Sequence, residues 1–319
     1  MAQFQHTPVM LSESVEHLGL SPGAVVVDGT LGGGGHAAAI LERTAPDGIL
    51  IGLDLDEEAR AAASVALESY GPRVRIVHAS FRSLDEASAS LGFDRVDAVL
   101  LDLGVSSHQL DTENRGFRFA DAEDSQAPLD MRMDASSGPT AADLLQTASV
   151  EEMERWFREY GELPGARRLA RNIAEGRRHL PFRTTADLVR VVRDSHVGGG
   201  RRHNPATLVF QALRIAVNDE LLALREGLDA AVALLRPGGR LVVIAYHSLE
   251  DRIVKQHIRA GAKGCTCPPR MPVCVCGGSI TLRAINRRPL NASDEEIRLN
   301  PRARSARLRA AERVGEAAR

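Results

Sequence analysis

No apolar run in the chain reaches the 18 residues that a membrane-spanning helix needs. The N-terminal stretch Met1-Ala2-Gln3-Phe4-Gln5-His6 has neither the basic start nor the apolar centre of a secretory leader. These absences predict a soluble, cytoplasmic protein with no membrane partner. Net charge is scarce as well. The chain has 40 Lys and Arg against 42 Asp and Glu, a formal −2, which excludes wholesale coating of nucleic acid. Only four cysteines occur, Cys265, Cys267, Cys274 and Cys276, all in one short segment around prolines. In a cytosolic chain such a cluster suits a metal better than a disulfide. Structural zinc, however, usually takes at least two residues between paired cysteines, and here there is one. Zinc ligation and reduced loop thiols both stand, and no metal residue is assigned.

What the chain does have is length and apolar content: 319 residues at 44% hydrophobic allow one large domain or two. Its organising stretch is Val25-Val26-Val27-Asp28-Gly29-Thr30-Leu31-Gly32-Gly33-Gly34-Gly35-His36. The three valines predict a buried strand. Asp28 closes it, and five of the next seven residues are glycine. Ala37-Ala38-Ala39-Ile40-Leu41-Glu42-Arg43 then reads as helix. Strand, glycine turn and helix bring backbone N–H groups close to a nucleotide-like ligand in α/β proteins. A second apolar run ends at Asp54. An acid about 20 residues past such a turn commonly holds ribose hydroxyls. Asp28 discriminates between ligands. A carboxylate there would repel the diphosphate of a nicotinamide dinucleotide, which therefore fits less well. S-adenosylmethionine, an adenosine with a cationic amino-acid tail, would be attracted.

A third strand runs from Val74 towards Phe81, placing that ring where an adenine could stack. On spacing alone, a core aromatic is the simpler reading. A fourth strand from Arg95 ends in Asp102. Ligands of open α/β sheets bind outside the carboxyl ends of the strands, so Asp28, Asp54 and Asp102 are expected to converge on one crevice. Residues 111–134, polar and acid-rich, read as a long loop over it. Beyond Thr140 the periodicity is helical and punctuated by Gly and Pro, with no strand until Arg236-Pro237-Gly238-Gly239 turns the chain into a fifth one. The predicted fold class is α/β: a Rossmann-like domain of residues 1–110 and 205–319, interrupted by an all-helical insertion over 111–204. Residues 162–204 hold ten arginines against four acids, and 281–313 hold nine against four. Arg without Lys favours phosphate contact, although solvated helix faces and GC-rich codons produce the same bias. The insertion is read as the RNA-facing part, and Asn300 to Arg309 as a short basic helix or arm.

Five motifs resemble, in the same order, those of the bacterial 16S rRNA (cytosine-N4)-methyltransferase family. They are Val27-Asp28-Gly29-Thr30 with Gly34-Gly35-His36; Leu101-Asp102-Leu103-Gly104-Val105-Ser106-Ser107; Pro128-Leu129-Asp130-Met131-Arg132-Met133-Asp134; His247-Ser248-Leu249-Glu250-Asp251-Arg252; and Asn300-Pro301-Arg302-Ala303-Arg304-Ser305. The resemblance runs from His6 to about Arg313. It implies a class I methyltransferase fold with a helical insertion and S-adenosylmethionine as donor. It also implies methylation at N4 of one cytidine in the decoding region of 16S rRNA, free or in the small ribosomal subunit, with no DNA partner. The family's donor-binding positions carry over as Gly34, Gly35, His36, Asp54, Phe81, Asp102 and Gln109, which moves Phe81 from core aromatic to donor neighbour. The turn departs from the family where Leu31 and Gly33 replace an aromatic and a larger residue. Many amino-methyltransferases carry Asp/Asn-Pro-Pro-aromatic after the fourth strand; Asp102-Leu103-Gly104-Val105 stands there without the prolines or the ring. Asp102 is the expected catalytic carboxylate. His247, whose simpler reading is a buried hydrogen-bonded histidine, is the reserve, and Asp130 is a third candidate.

Overall fold

A computed structural model describes residues 8–118, 125–198, 204–263, 267 and 279–315. Of the four cysteines only Cys267 falls within these, so the zinc expectation lies outside the described residues. The chain opens with α1 (Leu11–Leu18), β1 (Val25–Asp28), α2 (Gly35–Arg43), β2 (Ile49–Asp54), α3 (Glu57–Ala66), β3 (Val74–His78), α4 (Leu84–Ser90) and β4 (Val96–Asp102). Six helices follow: α5 (Ser107–Asp111), α6 (Ala141–Thr147), α7 (Val150–Glu159), α8 (Ala166–Gly176), α9 (Thr185–Asp194) and α10 (Pro205–Asn218). The chain then runs through α11 (Glu220–Leu234), β5 (Leu235–Ala245), α12 (Ser248–Lys263), β6 (Leu282–Ala284), β7 (Leu290–Asn291), α13 (Asp294–Leu299) and β8 (Arg307–Arg313). Two units result: Met1–Gly104 with Leu221–Arg319, and Val105–Glu220.

The first unit is a Rossmann-like sheet in the order β3-β2-β1-β4-β5-β8-β6, with β7 also paired to β8. The first five strands are parallel, and β8 is antiparallel to its neighbours. Strand side chains alternate between two buried faces, as the period of two requires. Val27, Ile51, Val99, Leu101 and Val243 pack with Leu228 of α11 and Ile253 of α12. Val26, Leu50, Leu100, Val242 and Ile244 pack instead with Leu18 of α1 and Ile40 of α2. Each such side chain, withdrawn from water, contributes roughly 1.5–3 kcal/mol. The Arg236-Pro237-Gly238-Gly239 turn, exposed at its first three residues, is an irregularity within β5 at a register shift opposite Val96 and Ala98, rather than a connection before it.

The second unit is helical, with an isolated Pro128–Thr184 bridge and no strand among its described residues. Thr140, Ser149 and Thr184 open α6, α7 and α9 as capping boxes, each hydroxyl accepting from the N–H three residues on. Its core joins Phe157, Leu169, Ile173 and Leu188 to Val209, Phe210 and Leu213 of α10. That packing explains why the observed boundaries, 105 and 220, differ from the expected 111 and 204. The helix at 205–218 follows its apolar face into the helical core. The segment read as a loop also puts Phe117, Leu129 and Met131 into this core, and these three follow no regular period.

Candidate active site

The strand order reverses between β1 and β4, and open α/β sheets take their ligands at that point. Asp28 ends β1 and Asp102 ends β4. Thr30 ties the two ends together: its N–H donates to Asp28 Oδ1 at 3.1 Å, and its Oγ1 accepts from the Asp102 N–H at 2.6 Å. Asp54, at the end of β2, accepts from the Gly32 N–H at 2.8 Å and the Asp56 N–H at 2.9 Å. The glycine turn is therefore pinned to the second strand by that acid. Gly34 caps α2 in the left-handed region at φ 84°, a conformation that favours glycine. A Cβ on Gly29 would lie 2.6 Å from Leu101 Cδ2 and 2.9 Å from Phe81 Cβ, so position 29 admits no side chain. Phe81 opens a short 3-10 turn after β3 and rests half-buried against the first-unit core.

The electrostatics of the notch follow from burial. Burial pushes the Asp28 carboxyl up to about 6, against the pull of His36 and the Thr30 N–H. It pushes Asp102 up to about 7, with the Tyr246 hydrogen bond opposing the rise and Glu250 adding to it. Asp54 is raised by burial too, against its two backbone hydrogen bonds. Burial also holds the His36 imidazole below the usual histidine range, although Asp28 opposes this. His36 Nε2 lies 3.1 Å from the Val9 carbonyl, which assigns the ring proton to that nitrogen. Its Nδ1 then faces Asp102 Oδ2 at 3.7 Å without a full positive charge. Buried Asp28 and partly buried Asp102 thus stand beside an imidazole whose charging burial disfavours.

Tyr246 completes the notch, and sequence reasoning passed over it. Its hydroxyl donates to Asp102 Oδ1 at 2.8 Å. Burial and the Asp102 charge hold that phenol proton on well past the ordinary tyrosine range. The available signal was register: β5 runs parallel to β4 with Ile244 opposite Asp102, so position 246 emerges beside the end of β4. Glu250 fixes the turn after β5, its Oε2 accepting from the Tyr246 N–H at 2.8 Å and the His247 N–H at 3.2 Å. His247 Nε2 lies 3.0 Å from Glu250 Oε1. This histidine, partly buried, thus sits against Glu250. Asp130 belongs to the second unit and is gripped by Arg132 Nε at 2.9 Å and Nη2 at 2.8 Å. Burial would raise its carboxyl, but those hydrogen bonds hold it below the usual range. Gln109 is also in the second unit, buried, its Oε1 accepting from the Ser106 N–H in the box that opens α5.

A mainly parallel sheet ordered in this way, with acids ending β1, β2 and β4, is the Rossmann-like arrangement expected of a class I S-adenosylmethionine-dependent methyltransferase. Over residues 3–314 the sequence matches the profile of the MraW methylase family, and the chain belongs to that family. It is 54% identical over 313 residues to ribosomal RNA small subunit methyltransferase H of Syntrophotalea carbinolica, covering 98% of both chains. It is 51% identical to the protein of the same name from Geotalea uraniireducens, covering 98% of this chain and 100% of that one. A solved rRNA methylase from Streptococcus thermophilus aligns with a TM-score of 0.42 at 12% identity, covering 96% of this chain and 94% of the other. The assignment rests on the sequence relatives, and it removes the nicotinamide alternative.

Proposed function

We propose that the protein transfers a methyl group from S-adenosylmethionine to the exocyclic N4 of a cytidine in the decoding region of 16S rRNA, in the cytoplasm. The relatives' shared name supports the RNA. The observation that carries the donor is the pair of strand-end carboxyls, buried Asp28 and partly buried Asp102, tied together by Thr30. Gly34, Gly35, His36, Asp54, Phe81 and Asp102 are the proposed donor contacts of the first unit; Gln109 is assigned by the resemblance alone.

When bound, the donor supplies an electrophilic methyl group on a sulfonium. As the N4–C bond forms, the S–C electron pair stays on sulfur and N4 must give up a proton. Asp102 accepts a hydrogen bond from the amine and takes that proton; a carboxyl poised near 7 suits the role at neutral pH. Tyr246 fixes one oxygen of Asp102, so the other keeps a set direction, and positioning of this kind supplies much of such a rate. The cytosine must leave its stack to reach the notch. The helical unit is the proposed RNA-recognition part, supported by exposed Arg155, Arg171 and Arg183. Mass spectrometry of small-subunit rRNA nucleosides, with and without the protein, tests the reading. N4-methylated cytidine is expected only with active protein and is lost with Asp102→Ala. Its formation at the wild-type rate by that variant removes Asp102 from the chemistry, and its absence with the wild type refutes the substrate.

A further inference from the structure

We propose that residues 287–307 of the first unit form a docking surface for the phosphodiester backbone of the RNA substrate; this rests on the RNA reading above and adds where the strand is held. Arg287, Arg288, Arg298, Arg304 and Arg307 are all exposed along this segment. The first four have no carboxylate partner among the described residues. In the helical unit the arginines divide: Arg158, Arg178, Arg190 and Arg193 each lie against an acid, whereas among the described residues exposed Arg155, Arg171 and Arg183 do not. Charge left unmatched by the fold is the charge available to phosphate. Three acids occur in the segment, at the start of α13, and one of them is already engaged: Glu296 accepts from the Met10 N–H at 2.7 Å.

Topology puts these arginines at the edge that holds the notch. Arg307 pairs with Ala245, the residue before Tyr246. Asn291 pairs with Arg307 in turn. Ile297 and Ala303 pack in the same cluster as the Tyr246 ring. The segment is also held in place. Asn286 donates to the Leu308 carbonyl at 2.9 Å and accepts from the Ala310 N–H at 2.8 Å. A pre-ordered row of guanidinium groups loses less entropy on meeting phosphates than a free tail would. A cytidine drawn into the notch brings its own strand past this edge, so anionic backbone meets unmatched cations there.

The test is the salt dependence of binding to purified 16S rRNA by the intact protein, comparing wild type with the quadruple variant Arg287→Ala, Arg288→Ala, Arg298→Ala, Arg304→Ala. Each phosphate contact contributes about 0.7 to the log–log slope for single strands. Loss of four contacts lowers the slope by roughly three, raises the RNA KM at least tenfold, and leaves kcat and donor affinity within about twofold. A milder pair, Arg287→Ala with Arg304→Ala, lowers the slope by about half as much and guards against misfolding of the quadruple variant. An unchanged slope in a folded variant overturns the proposal. So does a defect seen only on assembled subunits and absent on naked RNA, which would give the surface a protein partner. If the wild type methylates no rRNA at all, the function itself fails first, and donor binding then shows whether the notch survives without it.

Discussion

Lowering pH should weaken donor binding far above the range in which ordinary carboxylates titrate. Asp28 and Asp102 are raised from 3.8 to about 6 and about 7 because burial strips water from both. A cationic donor prefers them ionised, so binding must expel whatever protons they hold. At pH 5 a group with a pKa near 7 is about 1% ionised, and one near 6 about 10%. If Asp102 alone must ionise, affinity falls about 100-fold between pH 8 and pH 5; if both must, about 1000-fold. Exposed carboxylates with pKa about 3.9 would cost less than about 10% over that span. Of the other groups facing the pair, Asp54 and His36 would act in the same direction, since a proton gained by either disfavours a cation. Tyr246, held well above the ordinary tyrosine range, keeps its proton throughout. Without donor, the sign for stability is the reverse of the usual acid case. The folded chain binds these protons more tightly than the unfolded one, so the two carboxyls destabilise the fold increasingly as pH climbs from about 4 to about 7. Calorimetry from pH 5 to 8, in buffers of different ionisation enthalpy, reads both affinity and proton release. Constant affinity with no proton release over that range would show that these acids do not face the donor.

Three further outcomes are expected. Asp54→Ala should weaken donor binding about 10–100-fold, because a charged hydrogen bond to hydroxyl is worth roughly 1.5–3 kcal/mol; calorimetry showing unchanged affinity would move the ribose elsewhere. Tyr246→Phe removes the hydrogen bond that lowers Asp102. The acidic limb of the kcat profile should therefore shift upward and kcat should fall about tenfold or more, and an unmoved limb would reduce Tyr246 to packing. Asp251→Ala leaves Arg309, 8% exposed, without its paired carboxylate, which lies 2.6 Å from Nε. Breaking a buried pair costs about 3–5 kcal/mol, and denaturant unfolding that shows less than about 1 kcal/mol would contradict it. In Asp251 burial raises the carboxyl, but Arg309 and Arg307 outweigh it and hold it below the usual range. Its contribution is present above the unfolded pKa and is lost as pH falls through the folded one.

How much could be read beforehand depended on whether the signal was local. The strand ending in Asp28, the glycines at 29–35 and the apolar run to Asp54 are neighbours in sequence, and β1, α2 and β2 follow them closely. The helical periodicity beyond Thr140 is local in the same way, and α6, α7 and α9 follow it. Features requiring two distant segments were not legible. Tyr246 meets Asp102 across 144 residues, through a register that only the folded sheet reveals. The helix at 205–218 looks alike whichever core it joins, and only the partners of Phe210 and Leu213 decide. The apolar residues Phe117, Leu129 and Met131 fit no helical or strand period, so their burial left no trace in the pattern.

Near-zero net charge, which excluded a general nucleic-acid coat, is compatible with an RNA enzyme because the charges are sorted by depth. The notch needs buried acids to hold a cationic donor, and Asp28 at 1% exposure can serve only a ligand that enters. Phosphates stay outside, so the cations that meet them must be exposed, as Arg287, Arg288, Arg298 and Arg304 are. Solvent between the two layers weakens attraction at the surface, while low dielectric strengthens it inside the notch. The same sheet edge can therefore attract a positive molecule at depth and a negative one at its rim. Rising salt should accordingly weaken the RNA step well before it weakens the donor step, because screening acts on exposed charge first.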